Sequence, residues 1–242
     1  LRRRSGTEGT VQLAETLNDL GVLVRDRGDI ETATRLLEEA LALRRSLLGS
    51  SHKDVAVTLV ELGRAYGDGG ADARAEPLFR EALQIRLQLF GNEHRETATS
   101  MSDLAHALRR LGDPEGAEAL YAQVASISRK VLGEQHADYA TALGNLALSM
   151  SDKGEHARAE AMLREAIAIS RNALGANHPT TVGKMVNLAQ ALREQKKYDE
   201  AAAMLEDALT TARTRLGEEH PLVAHCLYTL GRVSFERGHA RE

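Results

Sequence analysis

Histidine is the most versatile chemical group in this chain, and five of its nine histidines recur at one spacing. His52, His94, His136, His178 and His220 follow one another every 42 residues. Each closes a Leu/Phe-Gly-x-x-His segment, from Leu48-Gly49-Ser50-Ser51-His52 to Leu216-Gly217-Glu218-Glu219-His220. An imidazole can bind a metal, move a proton or accept a hydrogen bond. Zinc needs several ligands converging within about 2.0–2.1 Å of one ion, whereas this column supplies one ring per unit. It therefore predicts a structural cap or connector, and no metal site is expected. Glu96 after His94 and Asp138 after His136 fit acids in a first helical turn, where the helix dipole favours them.

The other reactive groups point away from catalysis. Cys226 is the sole cysteine, so neither an intrachain disulfide nor a Cys-rich zinc site can form. Its neighbour His225 would project about 100° away on a helix, so an incidental thiol is expected. Gly67-Asp68-Gly69-Gly70 follows a helical pattern rather than a strand and lacks the Gly-Lys-Ser/Thr ending of a phosphate loop. It reads as a turn between helices. No catalytic, cofactor-binding or metal residues are expected, and the chain is read as no enzyme.

The elements that must position these residues repeat with the same period. Leu20, Leu62, Leu104, Leu146, Leu188 and Leu230 form one column, each followed by a small residue: Gly21, Gly63, Ala105, Ala147, Ala189 and Gly231. A second small column is Ala33, Ala75, Ala117, Ala159 and Ala201, and a bulky one is Leu37, Phe79, Tyr121, Leu163 and Leu205. Apolar steps of three and four within each unit predict two amphipathic helices. Gly28, Gly70, Gly112, Gly154 and Gly238 are expected as left-handed caps of the first helix, with Lys196 breaking the column. Gly49, Gly91, Gly133, Gly175 and Gly217 are expected to end the second helix. Pro179 and Pro221 suit a first helical position. One helix pair cannot bury its own apolar faces but stacked pairs can, so the fold class is all-α: a right-handed solenoid of stacked antiparallel helix pairs. The repeats fall at about 11–52, 53–94, 95–136, 137–178 and 179–220, with a partial sixth at 221–242, as one array over 1–242.

Composition agrees. The chain is 43% hydrophobic and 27% charged, enough to fold, while 3% aromatics argue against a core of large rings. A net charge of −4 excludes a broadly basic nucleic-acid binder. The longest uncharged stretch, 139–151, is too short to span a bilayer. A lone thiol suits a reducing, cytoplasmic setting, and the excess of Arg over Lys is compatible with a bacterial source. The start at Leu1-Arg2-Arg3-Arg4, without methionine, predicts a fragment or a trimmed N-terminus.

Leu62-Gly63-x-x-Tyr66 followed by Ala75-x-x-x-Phe79-x-x-Ala82 resembles the tetratricopeptide repeat. That family's usual period is 34, and the longer unit here is similar to the repeats of kinesin light chains and their bacterial relatives. His178-Pro179-x-x-Val182 and His220-Pro221-x-Val223-Ala224 support this best. The resemblance implies a non-catalytic scaffold that holds a protein or peptide in a concave groove lined by the first helices. Mapped onto this sequence, the groove residues are Asn18, Asp19, Arg64, His106, Arg109, Arg110, Asn145, Asn187, Arg193, Tyr228 and Arg232. Asn145-Leu146-Ala147 and Asn187-Leu188-Ala189 keep an asparagine that would face a peptide backbone, and its charges would match a peptide basic at one end and acidic near the middle. The alternative is a structural spacer, or an oligomerisation or regulatory module of a larger signalling protein. Expected partners exclude nucleic acid and membrane, and include self-association through the incomplete last repeat.

Pro77 falls early in a second helix, where it should shift the helix start or kink the helix. Residues 66–77 are therefore expected to be the array's soft joint. Native-state hydrogen exchange should show low amide protection there; uniformly strong protection would refute it.

Overall fold

In the computed structural model the backbone is described for residues 2–239 and the side chains for residues 9–238. Leu1, where the fragment reading begins, and 240–242, where a sixth second helix was expected to start, lie outside the described residues. The described chain is all helix: α1 Arg2–Asp26, α2 Ile30–Leu48, α3 Lys53–Asp68, α4 Asp72–Phe90, α5 Arg95–Arg110, α6 Pro114–Leu132, α7 Ala137–Asp152, α8 His156–Leu174, α9 Pro179–Glu194, α10 Tyr198–Leu216 and α11 Pro221–His239. From α2 to α10, each helix start recurs 42 residues later in the corresponding helix of the next pair. Pro77 does not shift this register: α4 begins at Asp72, one period after α2 begins at Ile30. α1 starts well before residue 11, where the first repeat was expected, because no Gly-x-x-His connector interrupts it.

The chain divides into two compact units, Leu1–Leu120 and Tyr121–Glu242, with the boundary inside α6. In the first, α1 packs on α2, α2 on α3, α3 on α4 and α4 on α5, and the first helices α1, α3 and α5 also touch in sequence. In the second, α7 packs on α8, α8 on α9, α9 on α10 and α10 on α11, with α7 touching α9 and α9 touching α11. This is the stacked helix-pair fold class that the periodicity predicts. Among the described residues no helix is long and apolar enough to cross a membrane.

Pairing depends on small residues opposite large ones. A Cβ added at Gly21 would lie 2.7 Å from Leu37 Cγ, and one at Gly63 would lie 2.6 Å from Phe79 Cε1. Both distances are far inside contact, so these positions hold glycine because the partner side chain occupies the space. Leu37, Leu163 and Leu205 are fully buried, each contributing roughly 1.5–3 kcal/mol.

Two glycine columns turn the chain. Gly49, Gly91, Gly175 and Gly217 have φ between 78° and 95° and extended ψ, a combination essentially confined to glycine, and each donates its N–H to the carbonyl four residues back. Gly28, Gly70, Gly112 and Gly154 adopt the left-handed conformation that ends a first helix. The residue after each donates back to the last turn, as in Asp29 N–H to Val24 O at 3.2 Å and Glu155 N–H to Met150 O at 2.9 Å. Gly238 differs from expectation: it lies within α11 and is not among the glycines with positive φ.

Lys196 takes the glycine's place with φ 62°, the one non-glycine residue with positive φ among those described. Its flanks hold it there. Gln195 Nε2 and Lys197 Nζ donate to the same oxygen of buried Glu160, at 2.6 and 2.7 Å. Burial alone would raise the Glu160 carboxyl, but Lys197, Gln195 and Arg164 outweigh it and hold it below the usual range. A left-handed β-carbon costs on the order of 1 kcal/mol. Lys196→Gly is therefore expected to stabilise the protein by about 1 kcal/mol in urea denaturation, while Lys196→Ala should gain nothing.

Candidate functional site

The histidine column is resolved by its hydrogen bonds. Nδ1 of His52, His94, His136, His178 and His220 accepts the backbone N–H two residues on, at 3.2, 3.1, 3.1, 3.2 and 3.1 Å. For His52, His94, His136 and His178 the backbone is extended, so each ring is an N-cap for α3, α5, α7 or α9. The lone pair a metal would use is spent on an otherwise unsatisfied helix donor.

The groove columns divide between the units. In the first unit their charges meet one another. Arg25 Nη1 donates to Glu61 at 2.5 Å and Arg64 Nη1 donates to Glu61 at 3.0 Å. Arg64 also reaches Asp103 with its Nη2 at 3.0 and 3.2 Å. Each long-range link joins neighbouring repeats, so the charges expected to match a peptide act first as inter-repeat ties. Arg64, His106 and Arg110 line one cleft of about 220 Å³ with Asp68, Asp72 and Asp103. Arg110 is held there by Asp72 at 2.9 Å and by Gly67 O at 3.0 Å. Desolvation, and then the guanidinium groups of Arg109 and Arg110, lower the His106 pKa. Asp19 is exposed and accepts from Asn18.

Asn18 lies elsewhere. It is 5% exposed, and its Oδ1 accepts from Thr58 at 3.1 Å and from Arg44 at 3.3 Å. Arg44 also donates to Asp54 O at 2.9 Å and to Thr58 at 2.7 Å, so one guanidinium joins α1, α2 and α3. The Asn18 column faces the seam between successive first helices, where Val60 and Val186 are also buried.

In the second unit, Asn145 and Asn187 are half-exposed, and their amides make no hydrogen bond among the described residues. They share a column with Glu61 and Asp103, but Leu148 stands where Arg64 does, leaving no guanidinium for Asn187 to meet. Arg193 is buried and held by Glu194 and by Glu236 at 3.0 Å. Gln190 meets His225 at 3.1 Å. Tyr228 and Arg232 line a cleft of about 600 Å³ on α11 with Leu227, Phe235 and Glu236. Cys226 is buried, and burial pushes its thiol pKa up, the reverse of what a nucleophile needs.

One polar residue escaped the groove columns. Lys184 lies in the buried column of Thr58, Ser100, Ala142 and Cys226, at 5% exposure. Burial pushes its pKa down to about 8. The sequence signal was a lysine where every other unit places a short side chain.

Helix pairs of fixed length, crossing at small residues and presenting first-helix side chains on a shared face, define a helical-repeat protein. The profile of the tetratricopeptide repeat family matches residues 12–88, 72–130, 96–172 and 180–242, and the chain belongs to that family. Its fold matches a Podosopora anserina putative kinesin light chain with nearly identical TPR-like repeats, at TM-score 0.71 and 26% identity over 85% of this chain and 98% of that one. BtubC (BKLC) from P. vanneervenii matches at TM-score 0.73 and 24% identity, over 91% and 88%. A Rap protein complexed with Competence and Sporulation Factor matches at TM-score 0.69 and 15% identity, over 91% and 64%. Comparison with curated protein sequences gives no significant match.

The capping role of the imidazoles gives a direct test. His136→Asn keeps an acceptor and should leave stability within a few tenths of a kcal/mol, whereas His136→Ala should cost about 1 kcal/mol in chemical denaturation. Equal losses in both variants would show that the Nδ1 acceptor is not what matters.

Proposed function

We propose that the chain is a non-catalytic scaffold that binds a protein or peptide on the first-helix face of its second unit, centred on Asn145 and Asn187. The observation behind this reading is the state of those two amides. They sit one repeat apart on α7 and α9, half-exposed and without a protein partner among the described residues. A carboxamide both donates and accepts, so a pair at repeat spacing can hold successive peptide groups of a bound segment. In the first unit Glu61 and Asp103 of the same column are already tied to arginine. Family membership supports the same work, and the Rap protein solved with Competence and Sporulation Factor shows that a related fold accommodates a partner.

Affinity capture with the wild type and with Asn145→Ala/Asn187→Ala tests this. The double variant should lose the partners recovered by the wild type while keeping its helical circular dichroism. Equal recovery would overturn the reading.

A second reading, self-association, is favoured by α11. Tyr228 and Phe235 are 65% and 67% exposed beside Leu227, and a Cβ at Gly231 would meet nothing within 4 Å, although its counterparts at Gly21 and Gly63 are filled. Light scattering over a concentration series should then show mass rising with concentration, and Phe235→Glu should abolish the rise. A strict monomer throughout rules this out.

A further inference from the structure

The outer face of α1 is apolar and faces solvent. Leu13, Leu20 and Leu23 are 48%, 42% and 49% exposed among the described residues. With Thr16 they step by three, four and three residues, so they share one helix face. One period later the same columns of α3 hold Val55, Thr58, Leu62 and Ala65, none more than 3% exposed. The difference is the helix in front: α2 packs on α3, as α4 packs on α5. α1 thus presents the receiving half of an interface that the fold completes elsewhere.

The polar groups along the stripe define what it receives. In the completed interfaces one guanidinium of the second helix crosses onto the next first helix. Arg44 Nη1 donates to Asp54 O at 2.9 Å and to Thr58 Oγ1 at 2.7 Å. Arg86 Nη1 donates to Glu96 O at 3.1 Å and to Ser100 Oγ at 2.9 Å. The same two acceptors stand on α1 as Gln12 O and Thr16 Oγ1. They are arranged as on α3: Thr16 Oγ1 donates to Gln12 O at 2.8 Å, as Thr58 Oγ1 does to Asp54 O at 3.2 Å. Thr16, however, is exposed. Three residues on is Asp19, whose column mates Glu61 and Asp103 each take an arginine from the preceding repeat, Arg25 and Arg64. Asp19 is exposed and accepts from its neighbour Asn18.

The repeat's own route for seating a second helix is closed at this end. Residues 7–10 stand at the phase of the connector 49–52, and they are helical. Nor does a second copy offer a matching helix. Arg44 and Arg86 are engaged within their own chain, and α6, α8 and α10 carry Ser128, Ser170 and Ala212 at that phase.

We propose that the outer face of α1 docks an amphipathic helix of a partner protein, with an aliphatic stripe and arginine along one edge. The stripe covers Leu13, Leu20 and Leu23, one guanidinium donates to Gln12 O and Thr16 Oγ1, and a second cation meets Asp19. This surface is separate from the one carrying Asn145 and Asn187.

A synthetic peptide of the α2 sequence, Ile30–Leu48, supplies the required stripe and arginine and serves as the probe. Labelled and titrated with the intact chain in fluorescence anisotropy, it should bind saturably. Arg44→Leu in the peptide, or Leu20→Glu in the protein, should each weaken binding about tenfold. Leu20 is exposed, so the Leu20→Glu protein should keep its unfolding midpoint and its helical circular dichroism. Insensitivity to either substitution, or no binding, overturns the proposal. Binding that survives Leu20→Glu but is lost in Phe235→Glu places the peptide on α11 and also overturns it. A mass that rises with concentration in light scattering, and stays monomeric in Leu20→Glu, makes the occupant a second copy and overturns the partner helix.

Discussion

The close crossing inside each helix pair is the constraint on which the rest of the structure depends. Leu37 and Phe79 occupy the space where Gly21 and Gly63 would carry a β-carbon. That contact fixes how near the two helices lie, and so where the next first helix can pack. With approach distance and helix length both set, the connectors must return the chain to one starting geometry every 42 residues. The glycine conformations and imidazole caps do so without slippage from α2 to α10. Side chains one repeat apart then meet reliably, which is why pairs such as Arg45–Glu81, at 2.6 Å, and Arg164–Glu200 can form on the second helices.

Most of this architecture was legible in the sequence because it is written in columns. Helix boundaries, small-against-large positions, glycine caps and the capping role of the histidines all follow from residue type at fixed phase. The break at Lys196 was legible too, although the way Glu160 secures the flanks of that turn depends on side-chain reach. The groove was harder to read. Asn18 and Asn145 are both asparagines on first helices in adjacent columns, and a rotation of about 100° separates the seam from the open face. Only the presence of Arg44 and Thr58 shows that Asn18 is consumed by structure. Gly238 shows that residue type at the capping phase is not enough by itself, since this glycine keeps the helical course of α11.

The two units solve the electrostatics of their first-helix faces differently. In the first, carboxylates and guanidinium groups pair between repeats, which favours cohesion over recognition. In the second, amides and Leu148 replace most of these charges, and polar capacity is left over. The free energy available to a ligand is largest where the protein has not already satisfied its own groups. By that measure the unpaired amides of Asn145 and Asn187 are what set the second unit apart from the first.

The five imidazole caps have a consequence for how an array of this kind changes length. Each connector brings its own acceptor, so the first free donor of the following helix is satisfied inside the connector and borrows nothing from the neighbouring pair. Cutting out or duplicating a unit at its Gly-x-x-His segment therefore leaves that donor paired, and the connector is a joint at which the chain can be lengthened or shortened by whole units.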